Sequence, residues 1–270
     1  MFHSLLFYAR KAAQRQFRAK YKVDMVSGNY RLKTADSTEE LEAALKLRYK
    51  IYSLDILDSP SFLKIETDRF DWIADHLLLI DNTSNEVVGT YRILDTVELA
   101  KSYVALEFKI EALLEKHGRF LELGRACVRP DFRNGQTLMC LWKGIAAYVK
   151  ASECFILLGV ASEWNAEYAN AEKWLETLPE KFRFLDHPEL EPTAAFQVDE
   201  NAPAVVEEEF KPGPLLRGYF SMGAKICTTP AHDRDYECLD FLTFLDFNNL
   251  ESIWKKRLGL LDLPSDLQPV

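Results

Sequence analysis

The sequence lacks any apolar run long enough to cross a membrane, which takes about 20 consecutive apolar residues. Its longest apolar run is Cys154–Ala161, a length typical of a buried strand. The run Leu5–Ala9 is too short for a secretory signal, and basic residues follow it instead of preceding it. These absences predict a cytoplasmic protein.

Cysteine and positive charge are also scarce. The five cysteines are an odd number without a CxxC pair, so we expect neither a disulfide framework nor a zinc site, and we predict no metal. The 33 Lys and Arg residues are outnumbered by 42 Asp and Glu, for a net charge of −9. Because nucleic-acid backbones favour positive surfaces, no nucleic-acid partner is expected.

One segment lacks acidic residues altogether. Residues 1–23 carry six Lys and Arg, which leaves −15 on the remainder of the chain. At 3.6 residues per turn, one helical face would hold Phe2, Leu6, Ala9, Ala13 and Phe17, and Lys11, Arg15, Arg18 and Lys22 would lie nearly opposite. We predict a basic amphipathic arm over residues 1–28. It would contact an anionic membrane surface or an acidic protein, or else pack on its own domain.

Strand and helix patterns alternate along the rest of the chain. Strand patterns occur at Asn29–Asp36, His76–Ile80, Val87–Leu94, Phe120–Val128, Phe155–Ala161 and Asp240–Asp246, and helix patterns at Ser37–Tyr52, Phe108–Lys116, Gln136–Lys150 and Ala166–Leu178. Residues 179–214 are rich in proline and indicate a lid-like loop. The order predicts one α/β domain over residues 29–270, with helices on both faces of a mixed sheet.

The stretch Glu122–Gly135 combines a strand, a basic loop and the start of a helix. Alternation places Glu122 and Arg125 on opposite strand faces, unless a bulge at Gly124 redirects the chain. A helix N-terminus binds anions through its unpaired N–H groups. The loop therefore predicts a phosphate site at Arg129, Arg133, Asn134 and Gly135. An ordinary strand–turn–helix is the alternative.

Several stretches together resemble the GCN5-related N-acyltransferase superfamily, in particular its ornithine-lipid-type branch. The same pattern is similar to that of acyl-homoserine-lactone synthases. The stretches that carry the resemblance are Leu47–Tyr52, Asp68–Asp71, Asp75–Leu79, Gly89–Leu94, Glu122–Gly135, Pro214–Lys225 and Asp240–Leu242.

The resemblance implies a GNAT-like fold, with a mostly antiparallel central sheet flanked by helices. It implies direct transfer of a long, 3-hydroxylated acyl chain from acyl carrier protein to an amino-acid α-amine, with ornithine the favoured acceptor. No cofactor would be permanently bound, because acyl-carrier-protein thioester is a co-substrate. The single glycine in Arg129–Gly135 suits the one phosphodiester of a carrier arm. The product, an amphiphile, would place the enzyme at the inner membrane face.

Three other functions stay open at this point. The acceptor could be glycine or lysine, or the chain could be an autoinducer-type synthase. A module that binds membrane or carrier protein without catalysis is the non-enzymatic alternative. The C-terminal third argues against the synthase, and the retained Glu122, Arg125 and Arg92 argue against loss of chemistry.

The family pattern also implies residue roles. Aminolysis of a thioester needs a proton acceptor, because an α-amine has a pKa of about 8. Glu122 is the first candidate base and His76 the second, with Arg125 and Arg92 beside them. Arg48, Asp68 and Asp71 would bind substrate, although a structural salt-bridge network is the alternative for these charged residues. A covalent intermediate on Cys127 is disfavoured, since the family transfers directly.

Overall fold

A computed structural model describes residues 2–12, 16–164, 168–184, 190–198 and 210–260. The described residues form two compact units. The first comprises Met1–Leu94, Leu123–Cys154 and Arg257–Leu260, and the second comprises Asp95–Glu122 and Phe155–Lys256. In chain order the elements are α1 (Phe2–Ala12), β1 (Asp24–Ser27), β2 (Tyr30–Thr34), α2 (Thr38–Arg48), β3 (Asp75–Asp81), β4 (Val87–Thr96), α3 (Val104–Glu107), α4 (Glu111–His117), β5 (Phe120–Val128), α5 (Gly135–Ser152), β6 (Ile156–Trp164), α6 (Tyr168–Thr177), α7 (Pro214–Ser221), β7 (Lys225–Ile226), β8 (Ala231–Asp233), β9 (Cys238–Asp246) and α8 (Ser252–Leu258).

The first unit contains the strand order β1-β2-β3-β4-β5. The first three neighbouring pairs are antiparallel. Strand β1 was not predicted from the sequence. It pairs with β2 through a two-residue turn at Gly28 and Asn29, where Gly28 has a φ of +61°, a conformation that glycine adopts without a steric cost.

Helices cover both faces of this sheet. Successive strand residues point to opposite faces, and Leu77 and Leu78 on β3 show the two environments. Leu77 faces α5, where a Cβ added to Gly144 would lie 2.7 Å from the Leu77 Cδ2 atom. Leu78 packs instead with α2 residues such as Leu41 and Leu45. The mixed, mostly antiparallel α/β architecture expected from the sequence is confirmed.

Helix α1 differs from the predicted amphipathic stripe. The described helix covers Phe2–Ala12, and residues 16–23 are not helical, so the single helical stripe predicted through Phe17 and Lys22 is wrong. Phe17 is buried in the core with Phe7, whereas Leu6 and Ala9 of the predicted stripe are exposed. The backbone N–H of Phe17 donates to Thr38 Oγ1 at 3.1 Å, which holds the chain out of a helix. The predicted side chains of Phe2, Ala13 and Arg15 lie outside the described residues.

The second unit is built around β9. This strand pairs antiparallel with β6, β7 and β8. Its core contains Phe108, Phe120 and Leu242 among other apolar side chains. The helix predicted over Phe108–Lys116 begins only at Glu111, because Phe108 forms a bridge with Pro192. The parts of the predicted lid at 185–189 and 199–209 lie outside the described residues.

Described parts of the 179–214 segment are bonded to the second unit. The N–H of Thr193 donates to the Glu107 carbonyl at 2.7 Å, and that of Lys109 donates to the Glu191 carbonyl at 3.0 Å. Across the helices that the structure describes, none has the length and apolarity needed to span a bilayer.

Candidate active site

Three arginines and three carboxylates of the first unit form one ionic network. Arg48 binds both oxygens of Asp71, with Nη1–Oδ1 and Nη2–Oδ2 distances of 2.6 and 3.1 Å, and also pairs with Glu66. Arg92 Nη1 lies 2.6 Å from Asp68 Oδ2 and 3.1 Å from Asp71 Oδ1. The formal charges of this network, counting Arg125, cancel.

Arg125 completes the network from a distorted part of β5. Its Nη2 lies 3.2 Å from Asp68 Oδ2, and its Nε lies 3.4 Å from Glu66 Oε1. Its φ of +51° is in the left-handed region, which a non-glycine residue adopts only when its surroundings compensate the strain. The chain therefore changes direction next to Gly124, where the sequence left a bulge open as an alternative to regular alternation.

Burial makes the network electrostatically strong. Arg48 and Arg92 are almost wholly buried, and so is Asp71. Burial disfavours ionisation of Asp71, but Arg48 and then Arg92 outweigh it and hold the pKa of this carboxyl well below its usual value. Burial likewise opposes ionisation of Asp68, and Arg92 is the main group that lowers its pKa. Both carboxyls are charged near neutral pH.

His76 lies on β3 directly behind this network. Its Nε2 is 2.9 Å from the Asp71 carbonyl oxygen. Because a carbonyl only accepts, Nε2 carries the proton, and Nδ1 has no hydrogen-bond partner among the described residues. Burial lowers the pKa of His76 to about 4 despite the nearby Asp71. The imidazole is thus neutral at pH 7, with an unshared lone pair in a buried position.

Glu122 belongs to the second unit and has different partners. Its Oε2 accepts from Ser102 Oγ at 2.7 Å and from the Val104 N–H at 3.1 Å, and its Oε1 accepts from the Tyr103 N–H at 3.1 Å. The side chain is buried. These donors stabilise a charged carboxylate at the start of α3, where the helix dipole also favours negative charge.

The predicted phosphate loop leads into α5. Asn134 caps this helix by accepting from the Thr137 N–H at 2.9 Å. Arg129 is bound to Asp131 and Glu86. Arg133 donates from Nε to the Val128 carbonyl at 2.9 Å and has no carboxylate partner among the described residues. Of the two predicted arginines, Arg133 is therefore the one whose charge is available to an anion.

Two further features bear on alternative chemistries. Burial raises the pKa of Cys127 to about 12, so this cysteine is a neutral thiol and a poor nucleophile.

In the second unit, carboxylate oxygens of Glu107, Asp233 and Asp240 lie within 4.8 Å of one another. This buried acidic cluster has the spacing of cation ligands and was not predicted from the sequence. Asp233 also accepts the backbone N–H groups of Asp235 and Tyr236 at 2.8 and 3.1 Å.

Glu66 is the member of the ionic network that sequence reasoning missed. It lies two residues before Asp68, in a segment with no periodic pattern. No local signal marks Glu66, because its partners Arg48 and Arg125 lie far from it in the chain.

All eleven predicted site residues lie within residues 47–143, and this range matches the family described as the acetyltransferase (GNAT) domain. This part of the chain is therefore an acyltransferase domain of the GNAT type.

Proteins named L-ornithine N(alpha)-acyltransferase are similar to this chain. The one from Rhodobacter capsulatus is 34% identical over 176 residues, covering 61% of this chain and 65% of that relative. The one from Rhizobium meliloti is 29% identical over 260 residues, covering 86% of this chain and 84% of the relative. Among solved structures, a CoA-dependent acyl-homoserine lactone synthase aligns with a TM-score of 0.47 at 13% identity, covering 82% of each chain.

Proposed function

We propose that this protein transfers a long, 3-hydroxylated acyl chain from acyl carrier protein to the α-amine of ornithine, in the synthesis of an aminolipid. Ornithine is proposed as the acceptor because the chain is similar to relatives named L-ornithine N(alpha)-acyltransferase. In one alignment this similarity extends over 86% of the chain. The length and the 3-hydroxylation of the acyl chain are those implied by the family resemblance of the sequence.

The start of α5 supports a carrier-protein donor. The first N–H groups of a helix have no partners within the helix and bind phosphate well. Here they lie beside Arg133, whose charge no described carboxylate neutralises. The stretch Arg129–Gly135 has one glycine, the first residue of α5, and one phosphodiester of a phosphopantetheine arm matches this small site. We assign the phosphate contact to Arg133, Asn134 and Gly135, with Arg129 at its edge.

The proposed chemistry is direct aminolysis. The neutral α-amine attacks the thioester carbonyl carbon, forming a C–N bond and a tetrahedral oxyanion. The C–S bond then breaks, and the carrier thiol leaves after taking a proton. Glu122 accepts the proton of the amine, directly or through water, with His76 as the alternative base. Arg92 and Arg125 position the reacting groups, and Arg48, Asp68 and Asp71 form the acceptor side.

An exposed apolar surface supports a membrane location for this reaction. On α1, Leu5 and Leu6 are exposed, and Phe62, in the segment between α2 and β3, is 95% exposed. The hydroxyl of Tyr8 donates to the Leu63 carbonyl at 3.2 Å, so this loop lies beside α1. Aromatic and aliphatic side chains next to basic residues bind the headgroup region of anionic bilayers.

The test supplies the full chain with acyl donors and amino acids, and identifies products by mass spectrometry. Donors are 3-hydroxyacyl and unsubstituted acyl chains on carrier protein or CoA, and acceptors are ornithine, lysine and glycine. We expect N-acylornithine in the largest yield from 3-hydroxyacyl carrier protein. Product from CoA alone would overturn the donor, product from another acceptor alone would overturn ornithine, and no N-acyl amino acid from any pair would overturn the function.

A further inference from the structure

The first unit contains a cleft between α1 and the loop Thr67–Trp72. Its cavity volume is about 100 Å³, so only a small ligand fits. Helix α1 contributes His3, Leu6, Phe7 and Arg10 to the lining, and the loop contributes Thr67, Asp68, Arg69, Asp71 and Trp72. One wall is thus the basic helix, and the other is the loop that carries the two aspartates of the ionic network.

Helix α1 is firmly attached where it forms this wall. Phe7 is 4% exposed and contacts the edge of Trp72, with ring centroids 6.2 Å apart. Lys11 pairs with Glu42 on α2. A docked helix of this kind supplies fixed side chains to a pocket, whereas a loosely attached arm does not.

The charges of the cleft do not cancel. Asp68 and Asp71 form ion pairs with arginines of the ionic network, and Asp68 stays partly exposed. Arg10 and Arg69 have no carboxylate partner among the described residues. Their guanidinium carbons lie 4.9 Å from the Trp72 ring centroid and 4.7 Å from that of Phe70. Stacking on a ring holds a guanidinium in place and leaves its N–H donors, which lie in its plane, available to an anion.

Asp68 offers the opposite charge on the same wall. Its side chain is 20% exposed, and its Oδ1 accepts from the Phe70 N–H at 2.8 Å while its Oδ2 receives Arg92 and Arg125. A carboxylate oxygen can accept more than one hydrogen bond, so Oδ1 can also receive an ammonium. The cleft therefore presents two unneutralised cations and one partly exposed carboxylate, which complements a zwitterion with an additional ammonium group.

We infer that this cleft binds the amino-acid acceptor, with the α-carboxylate on Arg10 and Arg69 and the side-chain ammonium at Asp68. This inference rests on the proposed function for the identity of the ligand. It assigns α1 a role in substrate specificity, which is separate from any contact with lipid or carrier protein. Ligands with both a carboxylate and a distal ammonium would bind better than those with either group alone.

The experiment measures binding by calorimetry with no acyl donor present. Ornithine is compared with norvaline, which lacks the distal amine, and with 1,4-diaminobutane, which lacks the carboxylate. We expect Arg10→Gln and Arg69→Gln each to weaken ornithine about tenfold or more, since each removes a charge-assisted hydrogen bond. Both variants should leave 1,4-diaminobutane unchanged. Lys22→Gln, which removes an exposed charge outside the cleft, is the control and should bind ornithine normally.

Three results would overturn the inference: no binding of ornithine by the wild-type chain, unchanged affinity in both arginine variants, or an equal loss in Lys22→Gln. Steady-state kinetics separate this failure from that of the proposed function. If the wild-type chain makes N-acylornithine while Arg10→Gln leaves the KM for ornithine unchanged, only the cleft assignment fails. If it binds ornithine through Arg10 but acylates no amino acid, only the proposed reaction fails.

Discussion

The buried carboxylates of the two units are stabilised in different ways. Asp71 in the first unit faces two buried guanidinium groups, whereas Glu122 in the second faces one hydroxyl and two backbone N–H groups. When the carboxylate is removed, the neutral donors lose a hydrogen bond, but each buried cation loses one of the carboxylates that compensate its charge. Removing the charge of Asp71 should therefore reduce the stability of the fold. Removing the charge of Glu122 should affect the fold less, so that its role in catalysis can be tested separately.

Glu122→Gln should show the largest effect on turnover. If Glu122 is the base, the amide cannot accept the proton, and kcat should fall about 10²- to 10⁴-fold, while circular dichroism and donor binding stay close to those of the wild-type chain. Glu111→Gln, an exposed change at the start of α4, is the control. Unchanged kcat in Glu122→Gln would remove this residue from the mechanism.

Asp71→Asn should show the largest effect on stability. It leaves Arg48 and Arg92 buried with too little negative charge, and we expect the free energy of unfolding to fall by about 3–5 kcal/mol. Urea titration measures this loss. The matched control is Asp24→Asn, because Asp24 pairs with Arg31 at an exposed site, where the expected loss is about 1 kcal/mol or less. Equal losses in the two variants would contradict a buried network that depends on charge balance.

The neutral state of His76 predicts a dependence of stability on pH. Its pKa is about 4 in the folded chain and about 6.5 in an unfolded one. The unfolded state therefore binds more protons between these values, so stability falls as the pH drops from about 6.5 to 4, by up to about 3 kcal/mol.

His76→Gln removes this titration. The difference between the unfolding free energies of the wild-type and variant chains should be constant above pH 7 and shrink on acidification. A difference that does not vary with pH would show that His76 is not held neutral.

The smallest effect is expected at the start of α5. Arg133→Gln should raise the KM for acyl carrier protein about tenfold, the cost of one charge-assisted hydrogen bond, without changing the KM for the amino acid. Arg129→Gln should change it less, because Asp131 and Glu86 already neutralise that arginine. A larger effect at Arg129 than at Arg133 would reverse the assignment of the phosphate contact.

Much of the first unit was predictable from local patterns. The strand pattern of Val87–Leu94 and the helix pattern that begins at Ser37 identified β4 and the start of α2, where Ser37 accepts from the Glu40 N–H at 3.2 Å. Patterns of this kind are local, since each depends on neighbours in the chain.

What could not be predicted depends on contacts between distant residues. Phe17 continues a helical stripe in the sequence. In the structure its backbone N–H donates to Thr38 and its ring packs in the core. Glu66 carries no pattern, and only the folded chain shows that Arg48 needs it. The place of Arg10 beside the loop Thr67–Trp72 likewise depends on a contact between residues far apart in the chain.

The left-handed residue Arg125 has a consequence for the order of folding. An isolated strand would not place an arginine at a φ of +51°, because that conformation is unfavourable without compensation. The ion pairs with Glu66 and Asp68 connect residues far apart in the chain, and such contacts close slowly. The end of β5 should therefore acquire its final conformation only after the loop before β3 has docked. The distortion at Arg125 would then form late in folding.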